Sequence, residues 1–476
     1  MMRSCCRALA WVLIVALALP RFAAAQERGA VALAGLIDGL GVTTRVLMIG
    51  AHPDDEDTRL ITWLSRGRHV ETAYLSLTRG DGGQNLIGNE LSEALGAIRT
   101  EELLAARRVD GARQFFARAY DFGFSKDSAE ALRHWPREEL LGDIVTVVRR
   151  FRPHVIVSVF SGTSRDGHGQ HQVSGLLAQE AYAVSGDTAR FPTATYGAAW
   201  TSQKLYRATF FDPQSGTYRF NVGAYDPLLG RSYAELAALS RSQHKSQAFG
   251  SLQRKGAAIS SVRRLASRVN AELPAEREAS LFDGVDTTLV RLVDESCGRP
   301  RSALDSLQAA IDGAERAFDV HDPVPARRAL ARVARVFGGF GPNPGSSRCT
   351  DERWKDSQLT FTRIKSKLDS ALMLSAGVAV EAEVPRELVV LGDTIPVTVR
   401  VFNRGSQPVT VRQVHMTDVN LVLAPDSVAL FTVPWNSSRR AAPFWLQVPR
   451  KGDFFPGYPK WPRRPLMNSA RTNCLG

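Results

Sequence analysis

The fold class follows from residues 45–56, whose sequence is RVLMIGAHPDDE. After Arg45, residues 46–50 are a continuous apolar run, which is typical of a strand buried on both faces of a sheet. The next six place one histidine and three acidic side chains directly after that strand. Similar apolar runs recur downstream and alternate with stretches of helical periodicity. This alternation predicts an α/β fold with a mostly parallel sheet that helices cover on both faces.

The predicted elements fill residues 44–235. The predicted strands are 45–50, 71–77, 119–124, 154–160 and 204–211, and the predicted helices are 57–67, 91–117, 137–151 and 172–184. Because about 450 residues exceed the size of one ordinary domain, further domains are expected beyond this segment.

The remaining chain changes character twice. Residues 236–380 are predicted to be a helical region, so the α/β domain is placed at 26–235. From about residue 381 the period becomes that of a strand. Ile395, Val397, Val399 and Val401 alternate with polar residues, and the turn 403–405 precedes Val409 and Val411. We predict a β-hairpin within an all-β, sandwich-like and incomplete module at 381–476.

The first 25 residues resemble a secretory signal peptide. Arg3 and Arg7 precede a short apolar run at 8–20, and the small residues 23–25 form a cleavage site. A run of 13 residues is too short for a membrane helix, which needs about 20. The sequence therefore predicts an exported protein, periplasmic or extracellular, without a transmembrane segment after signal removal.

Charge and cysteine content limit the partners. Signal removal takes away three arginines and no acid, so the net charge falls from +12 to +9. This excess is spread along the chain apart from a basic tail at 460–471, and no nucleic-acid motif accompanies it, so no nucleic-acid partner is expected.

Among Cys297, Cys349 and Cys474, a bridge between the first two is plausible in an exported chain.

Two motifs follow buried parallel strands and predict a metal site. His52 and Asp55 follow the first strand, and His168 and His171 follow the strand at 154–160. The carboxyl ends of parallel strands share one sheet edge, where ligands bind. Imidazole nitrogens and a carboxylate oxygen are zinc ligands, and zinc lowers the pKa of water to about 7. We expect His52, Asp55 and one of the two loop histidines to hold one zinc ion per chain, with Asp54 as proton acceptor.

Other chemistries fit the motifs less well. A nicotinamide-binding domain would need a glycine-rich loop after the first strand, where this chain has three acidic residues. An iron oxygenase with two histidines and one carboxylate is possible in principle. An additional acid beside the ligand pair favours hydrolysis over that oxidation chemistry.

At these residues the sequence resembles the N-acetylglucosaminyl-phosphatidylinositol de-N-acetylase (PIG-L/LmbE-like) family. The resemblance covers roughly residues 44–250. It is carried by AHPDDE at 51–56, TRGDGG at 78–83, Arg99-x-x-Glu102, the loop histidines and HKSQ at 244–247. It implies a Rossmann-like deacetylase fold with a mononuclear zinc site.

The resemblance also implies roles for individual residues. His52, Asp55 and His171 correspond to the zinc ligands, Asp54 to the general base, and His168 to the residue that stabilises the oxyanion or protonates the amine. Gln170 stands where several members carry an aspartate.

Two substrate-binding residues are expected at the same sheet edge. Arg79 resembles a family position near sugar hydroxyls, and Asp121 ends the predicted third strand. The Arg99 and Glu102 side chains, three residues apart, are expected to form a structural helix pair. Because all proposed ligands precede residue 172, residues 381–476 are expected to be dispensable for the site.

The functional hypothesis is an exported zinc hydrolase that deacetylates an N-acetylated amino sugar, either a GlcNAc-type glycan or a conjugate. One alternative is a zinc amidase acting on another acylated amine. Another is a glycan-binding protein with a degenerate site. Against degeneracy, the chain carries all five residues expected of an active site: His52, Asp54, Asp55, His168 and His171.

Overall fold

The computed structural model describes residues 29–210, 212–293, 299–340, 352–414, 417–438 and 443–456. The signal segment, the three cysteines and the basic tail lie outside the described residues, so those expectations stay predictions. None of the described helices combines the length and apolar character that a membrane crossing needs.

The helices are α1 Ala30–Asp38, α2 Thr58–Thr62, α3 Glu93–Asp110, α4 Ser128–His134, α5 Arg137–Phe151, α6 Gly169–Val184, α7 Thr193–Tyr196, α8 Tyr233–Arg241, α9 Arg301–Arg316, α10 Pro323–Gly338 and α11 Glu352–Ser375. The strands are β1 Arg45–Gly50, β2 Glu71–Ser76, β3 Arg113–Phe116, β4 Val155–Ser158, β5 Lys204–Ala208, β6 Tyr218–Asn221, β7 Tyr225–Asp226, β8 Arg231–Ser232, β9 Ile259–Ser267, β10 Val378–Glu383, β11 Thr394–Asn403, β12 Val409–Val414, β13 Thr417–Leu423 and β14 Ser427–Asn436.

Seven strands form the central sheet in the order β3-β2-β1-β4-β5-β9-β6. β1 lies parallel to β2 and β4, and the parallel set extends to β3 and β5. β9 runs antiparallel to both β5 and β6. The predicted mostly parallel α/β sheet is therefore confirmed. The strand order reverses between β1 and β4, and this switch point is where open α/β sheets bind ligands.

The side chains of β1 alternate between two buried clusters. Leu47 and Ile49 pack with residues of α5 and α6, including Ile144. Val46 and Met48 pack on the other face, in a cluster that contains residues of α2 and α3. Burial on both faces explains why the strand sequence is continuously apolar.

The predicted bounds of one helix and one strand were wrong, and one further strand was not predicted. The helix predicted at 91–117 ends at Asp110, because Gly111 adopts a left-handed φ of 83° that terminates it. The third strand is Arg113–Phe116, and residues 119–124 form the loop beyond its carboxyl end. In the region predicted to be helical, β9 joins the main sheet at Ile259–Ser267. Serine and arginine residues interrupt the apolar alternation of β9, and Val262 is the apolar residue of this strand that is buried.

The helical region covers the amino ends of the parallel strands. Arg45 and Glu71 are the first residues of β1 and β2. From α11, Asp356 pairs with Arg45, and Arg363 pairs with Glu71 at 2.5 Å. α11 therefore lies at the end of the sheet opposite to the two motif loops.

The C-terminal module contains the predicted strands, but its pairing differs from the predicted hairpin. β11 pairs with β10 and β14, whereas β12 pairs with β13 in a separate sheet. The turn after Asn403 therefore connects two sheets. Val401 and Val433 from one sheet and Val411 and Leu423 from the other share a buried cluster, as in a small sandwich. Hydrophobic alternation identifies strands, but it does not identify their partners.

Candidate metal centre

The loop after β1 is a tight turn held by its own acidic side chain. Asp55 Oδ2 accepts hydrogen bonds from the backbone N–H groups of Ala51 at 2.9 Å and His52 at 2.7 Å. The Tyr74 hydroxyl, from β2, donates to the His52 carbonyl oxygen at 2.6 Å. Asp54 has a φ of 101°, which is rare for a residue with a side chain and marks a constrained turn.

The structure brings together the three predicted ligands, His52, Asp55 and His171. His171 Nε2 lies 3.2 Å from His52 Nδ1 and 3.4 Å from Asp55 Oδ1. His52 Nδ1 lies 3.3 Å from Asp55 Oδ2. Two atoms that each lie about 2.0–2.1 Å from one ion at tetrahedral angles are about 3.3–3.4 Å apart. The separation of the two imidazole nitrogens is close to an edge of a tetrahedral zinc site, and the Asp55 carboxylate lies beside both rings, with Oδ1 nearer His171 and Oδ2 nearer His52.

His168 offers a second choice of third ligand. Ring nitrogens of His52, His168 and His171 lie within 4.8 Å of one another. Asp55 lies 3.3 Å from His52 Nδ1 and 3.4 Å from His171 Nε2, and its carboxylate adds the negative charge that a divalent cation needs. These distances favour Asp55 as the ligand and leave His168 beside the metal position.

The outer hydrogen bonds of both ligand histidines fix their tautomers. His52 Nε2 contacts the Gln170 side-chain oxygen, and His171 Nδ1 lies 3.2 Å from the Asp166 carbonyl oxygen. Since both partners are acceptors, these ring nitrogens carry the protons. The nitrogens that face each other then have free lone pairs, as metal coordination requires. Phe160 stacks on the His171 ring with centroids 4.0 Å apart, which restricts that ring further.

The electrostatics of the site favour a positive charge beside His52. Burial lowers the pKa of His52, but the Asp55 and Asp121 carboxylates outweigh it and raise that pKa to about 9. Burial opposes ionisation of Asp55, yet the His171 and His52 imidazoles hold its pKa well below the usual range. The negative charge of the Asp55 and Asp121 carboxylates stabilises either a proton on the His52 ring or a metal cation bound to it.

Asp54 points to Arg99 rather than to the ligand group. Its Oδ2 lies 3.1 Å from Arg99 Nη2, and burial raises its pKa despite this cation. Arg99 also donates to the carbonyl oxygens of Pro53 at 2.7 Å and Gly80 at 3.1 Å. The predicted pair between Arg99 and Glu102 was wrong, because Glu102 instead accepts two hydrogen bonds from Ser246. Arg99 thus positions the turn that carries Asp54 and Asp55.

His168 is the N-cap of α6. Its Nδ1 accepts the backbone N–H of Gln170 at 3.4 Å, so its Nε2 carries the proton and is a hydrogen-bond donor. Burial, together with the His52 and His171 imidazoles, lowers the pKa of His168 to about 4. The Asp166 carboxylate does not orient this ring, because it accepts the backbone N–H groups of Ser161 to Thr163.

The two predicted sugar contacts occupy buried positions. Arg79 donates to the Ala117 carbonyl oxygen at 3.2 Å, and its guanidinium carbon lies 4.6 Å from the Trp445 ring. This burial does not support its predicted contact with a sugar. Asp121 Oδ2 lies 4.0 Å from His52 Nε2, on the side away from the other ligands. In the structure, Asp121 adjoins a ligand histidine.

A buried polar network that the sequence did not reveal ties the motif loop to the rest of the domain. Glu56 pairs with Arg107 of α3 at 3.2 Å and with His244 at 2.9 Å. The only sequence signals were an acidic residue directly after the ligands and the HKSQ segment. The sequence distinguishes Gln170 only because several family members have an aspartate at this position. Its contact with His52 depends on tertiary structure.

Cavity volume does not identify this site. Cavities of about 490 and 440 Å³ lie elsewhere, beside Ala97 on α3 and beside Trp200 near the amino ends of the strands. The site is distinguished instead by the convergence of His52, Asp55 and His171.

Replacing Gln170 with alanine is expected to weaken zinc binding by about 10–100-fold. The variant removes the acceptor for His52 Nε2, so the ring and its tautomer are no longer fixed. Titration against a chromophoric chelator measures the change. Gln179→Ala is the matched control, because this amide on the same helix donates to the Ser161 carbonyl oxygen. Equal affinities for the two variants would contradict the assigned role of Gln170.

The fold and the site define a parallel α/β protein with a histidine and carboxylate cluster at its switch point. Residues 47–182 match the family model described as GlcNAc-PI de-N-acetylase. This match confirms the resemblance that the two motifs indicate.

The chain is also similar to individual proteins. It is 28% identical over 179 residues to a 1D-myo-inositol 2-acetamido-2-deoxy-alpha-D-glucopyranoside deacetylase of Geodermatophilus obscurus and 31% identical over 180 residues to one of Rhodococcus opacus. Each alignment covers 34% of this chain, which spans 60% of the length of each relative. A solved N,N'-diacetylchitobiose deacetylase of Pyrococcus horikoshii aligns with 22% identity and a TM-score of 0.33, over 43% of this chain and 70% of the other.

Proposed function

We propose that this chain is an exported, zinc-dependent hydrolase that removes the acetyl group from an N-acetylated amino sugar. The observation that carries the proposal is the set of separations of 3.2–3.4 Å among ligand atoms of His52, Asp55 and His171. His168 lies beside this set as a hydrogen-bond donor, and Asp54, the residue before Asp55, supplies a carboxylate that Arg99 holds.

The reaction is hydrolysis of an amide. Zinc held by His52, Asp55 and His171 would supply Lewis acidity and lower the pKa of water at the site. Water adds to the acetyl carbon, the carbon–nitrogen bond breaks, and acetate and a free amine are released.

Side chains of this protein accept the proton of the attacking water and stabilise the negative charge that develops on the carbonyl oxygen. Asp54 accepts the proton of the attacking water, a role that its raised pKa favours. His168 Nε2–H donates a hydrogen bond to the carbonyl oxygen as negative charge develops there. Arg99 holds the Asp54 carboxylate at 3.1 Å and so limits the directions from which it can approach water.

The substrate class is supported by the relatives. Their names specify a 2-acetamido-2-deoxy-glucopyranoside. Its acetamido group contains the kind of amide bond that we propose this chain hydrolyses. The export signal at residues 1–25 supports a glycan or sugar conjugate of the envelope or the surroundings as the substrate.

Acetate release from N-acetylated amino sugars tests the function. We expect activity with zinc, loss of more than 90% after dialysis against a chelator, and recovery after zinc is returned. The panel contains N-acetylglucosamine, N,N'-diacetylchitobiose and a GlcNAc-inositol conjugate, with N-acetylated amino acids as the contrasting class. Activity confined to the amino acids would reject the sugar class, and activity that resists the chelator would reject the metal role.

A further inference from the structure

The last described segment, residues 443–456, returns to the α/β domain and is called here the C-terminal strap. It pairs with the loop of residues 117–123, called the Asp121 loop. Phe455 N–H donates to the Arg118 carbonyl oxygen at 2.9 Å, and Tyr120 N–H donates to the Asp453 carbonyl oxygen at 3.0 Å. An antiparallel bridge between Ala119 and Phe454 lies between these bonds. The strap therefore extends the loop as a short strand would.

Aromatic side chains fasten the strap to the domain. Trp445 and Phe455 form a buried cluster with Tyr120 of the Asp121 loop. The guanidinium carbon of Arg79 lies 4.6 Å from the Trp445 ring and 5.6 Å from the Phe455 ring, distances typical of cation–π contacts. The Arg450 guanidinium carbon lies 3.8 Å from the Tyr120 ring, on the same loop.

The other side of the Asp121 loop faces the metal centre. Asp121 Oδ2 lies 4.0 Å from His52 Nε2, and the Gly123 carbonyl oxygen accepts a hydrogen bond from Gln170 Nε2 at 2.9 Å. Gly82 packs so closely against the loop that an added Cβ would lie 2.4 Å from the Asp121 carbonyl oxygen. The loop is thus held between the strap and residues that contact a ligand.

We propose that the C-terminal strap is a positioning element of the metal centre, which holds Asp121 beside His52. The inference rests on the metal site of the proposed function. It assigns Arg79 to anchoring the strap, and it makes the last part of the chain a determinant of zinc affinity. The distal nitrogen of a ligand histidine and the carboxylate near it tune metal binding, so displacement of the loop should weaken binding.

The test compares Trp445→Ala/Phe455→Ala with Leu446→Ala, a matched control at an exposed position of the same strap. We expect the double variant to bind zinc at least about 10-fold more weakly. Amide hydrogen exchange of residues 117–123 should also rise, whereas the control should leave both quantities unchanged. Trp445→Phe retains an aromatic ring beside Arg79 and should restore most of the affinity. If the double variant fails to fold, Phe455→Leu is the milder substitute.

The outcomes distinguish the two proposals. Faster exchange of the Asp121 loop with unchanged zinc affinity would overturn the strap proposal, because the strap would then be only structural. Unchanged exchange and unchanged affinity would also overturn it. A wild-type protein that binds zinc but hydrolyses no N-acetylated sugar would refute the proposed function, and the affinity comparison would still decide the role of the strap.

Discussion

Asp54→Asn is expected to lower acetate release by about 10²–10⁴-fold, the usual contribution of a general base, while zinc stays bound. Asparagine keeps the size of the side chain but cannot take the proton of the attacking water. The ligand atoms of His52, Asp55 and His171 do not depend on the Asp54 carboxylate, which instead lies beside Arg99. The measurements are zinc content by elemental analysis and the initial rate with saturating substrate.

His171→Ala provides the contrasting variant. It removes a nitrogen that lies 3.2 Å from His52 Nδ1 and 3.4 Å from Asp55 Oδ1, so zinc content and activity should fall together. An Asp54→Asn protein with bound zinc and full activity would refute the proposed proton acceptor. Parallel loss of zinc in both variants would show that Asp54 contributes to metal binding.

Asp356→Ala is expected to lower the free energy of unfolding by about 3–5 kcal/mol, the cost of breaking a buried ion pair by removing one partner. The Asp356 carboxylate contacts Arg45 and lies 2.6 Å from Arg291 Nη1 and 3.5 Å from Arg152 Nε. Its loss leaves these guanidinium groups without their shared counter-charge at the amino ends of the strands. Urea unfolding curves of the full chain measure the difference.

Asp369→Ala is the matched control on the same helix. Asp369 pairs with Lys365 at 2.7 Å, but the two side chains are 53% and 61% exposed. An exposed pair contributes about 0–1 kcal/mol, so this variant should unfold almost like the wild type. Equal losses from Asp356→Ala and Asp369→Ala would contradict a special role for the buried pair.

The stabilisation by Asp356 should also depend on pH. Burial raises the pKa of this carboxyl, but Arg45 and Arg291 outweigh burial and hold the pKa below its ordinary value. The contribution is therefore complete above the unfolded pKa of about 3.9 and is lost as the pH falls through the lower folded pKa. The difference between wild type and Asp356→Ala should shrink over that acidic range.

The sequence predicted the parts of the fold that depend on local pattern. Runs rich in apolar residues identified β1, β2 and β4, because strands buried on both faces carry mostly apolar side chains. The sequence also placed His52, Asp55 and His171 at one sheet edge, since parallel strands end on the same side.

Tertiary contacts account for what the sequence could not predict. β9 was missed because an antiparallel strand with one well-buried apolar residue lacks a strong hydrophobic period. The contact of Gln170 with His52 joins positions 118 residues apart, and no local pattern encodes it. The strap proposal opposes the expectation that residues 381–476 are dispensable, and the comparison of zinc affinities decides between them. Distance in sequence conceals the contacts of the strap with the Asp121 loop.

The α/β domain contacts residues far along the chain, and these long sequence separations have a consequence for synthesis. Arg45 contacts Asp356, which lies 311 positions further along the chain, and His134 contacts Asp453, which lies 319 positions further. While the ribosome has made only the first 300 residues, the arginines at the base of the sheet lack their counter-ion and the loop beside His52 lacks its support. Closing such long loops is entropically costly and slow. The nascent domain should therefore remain open to chaperones or an export machinery until residues 443–456 emerge.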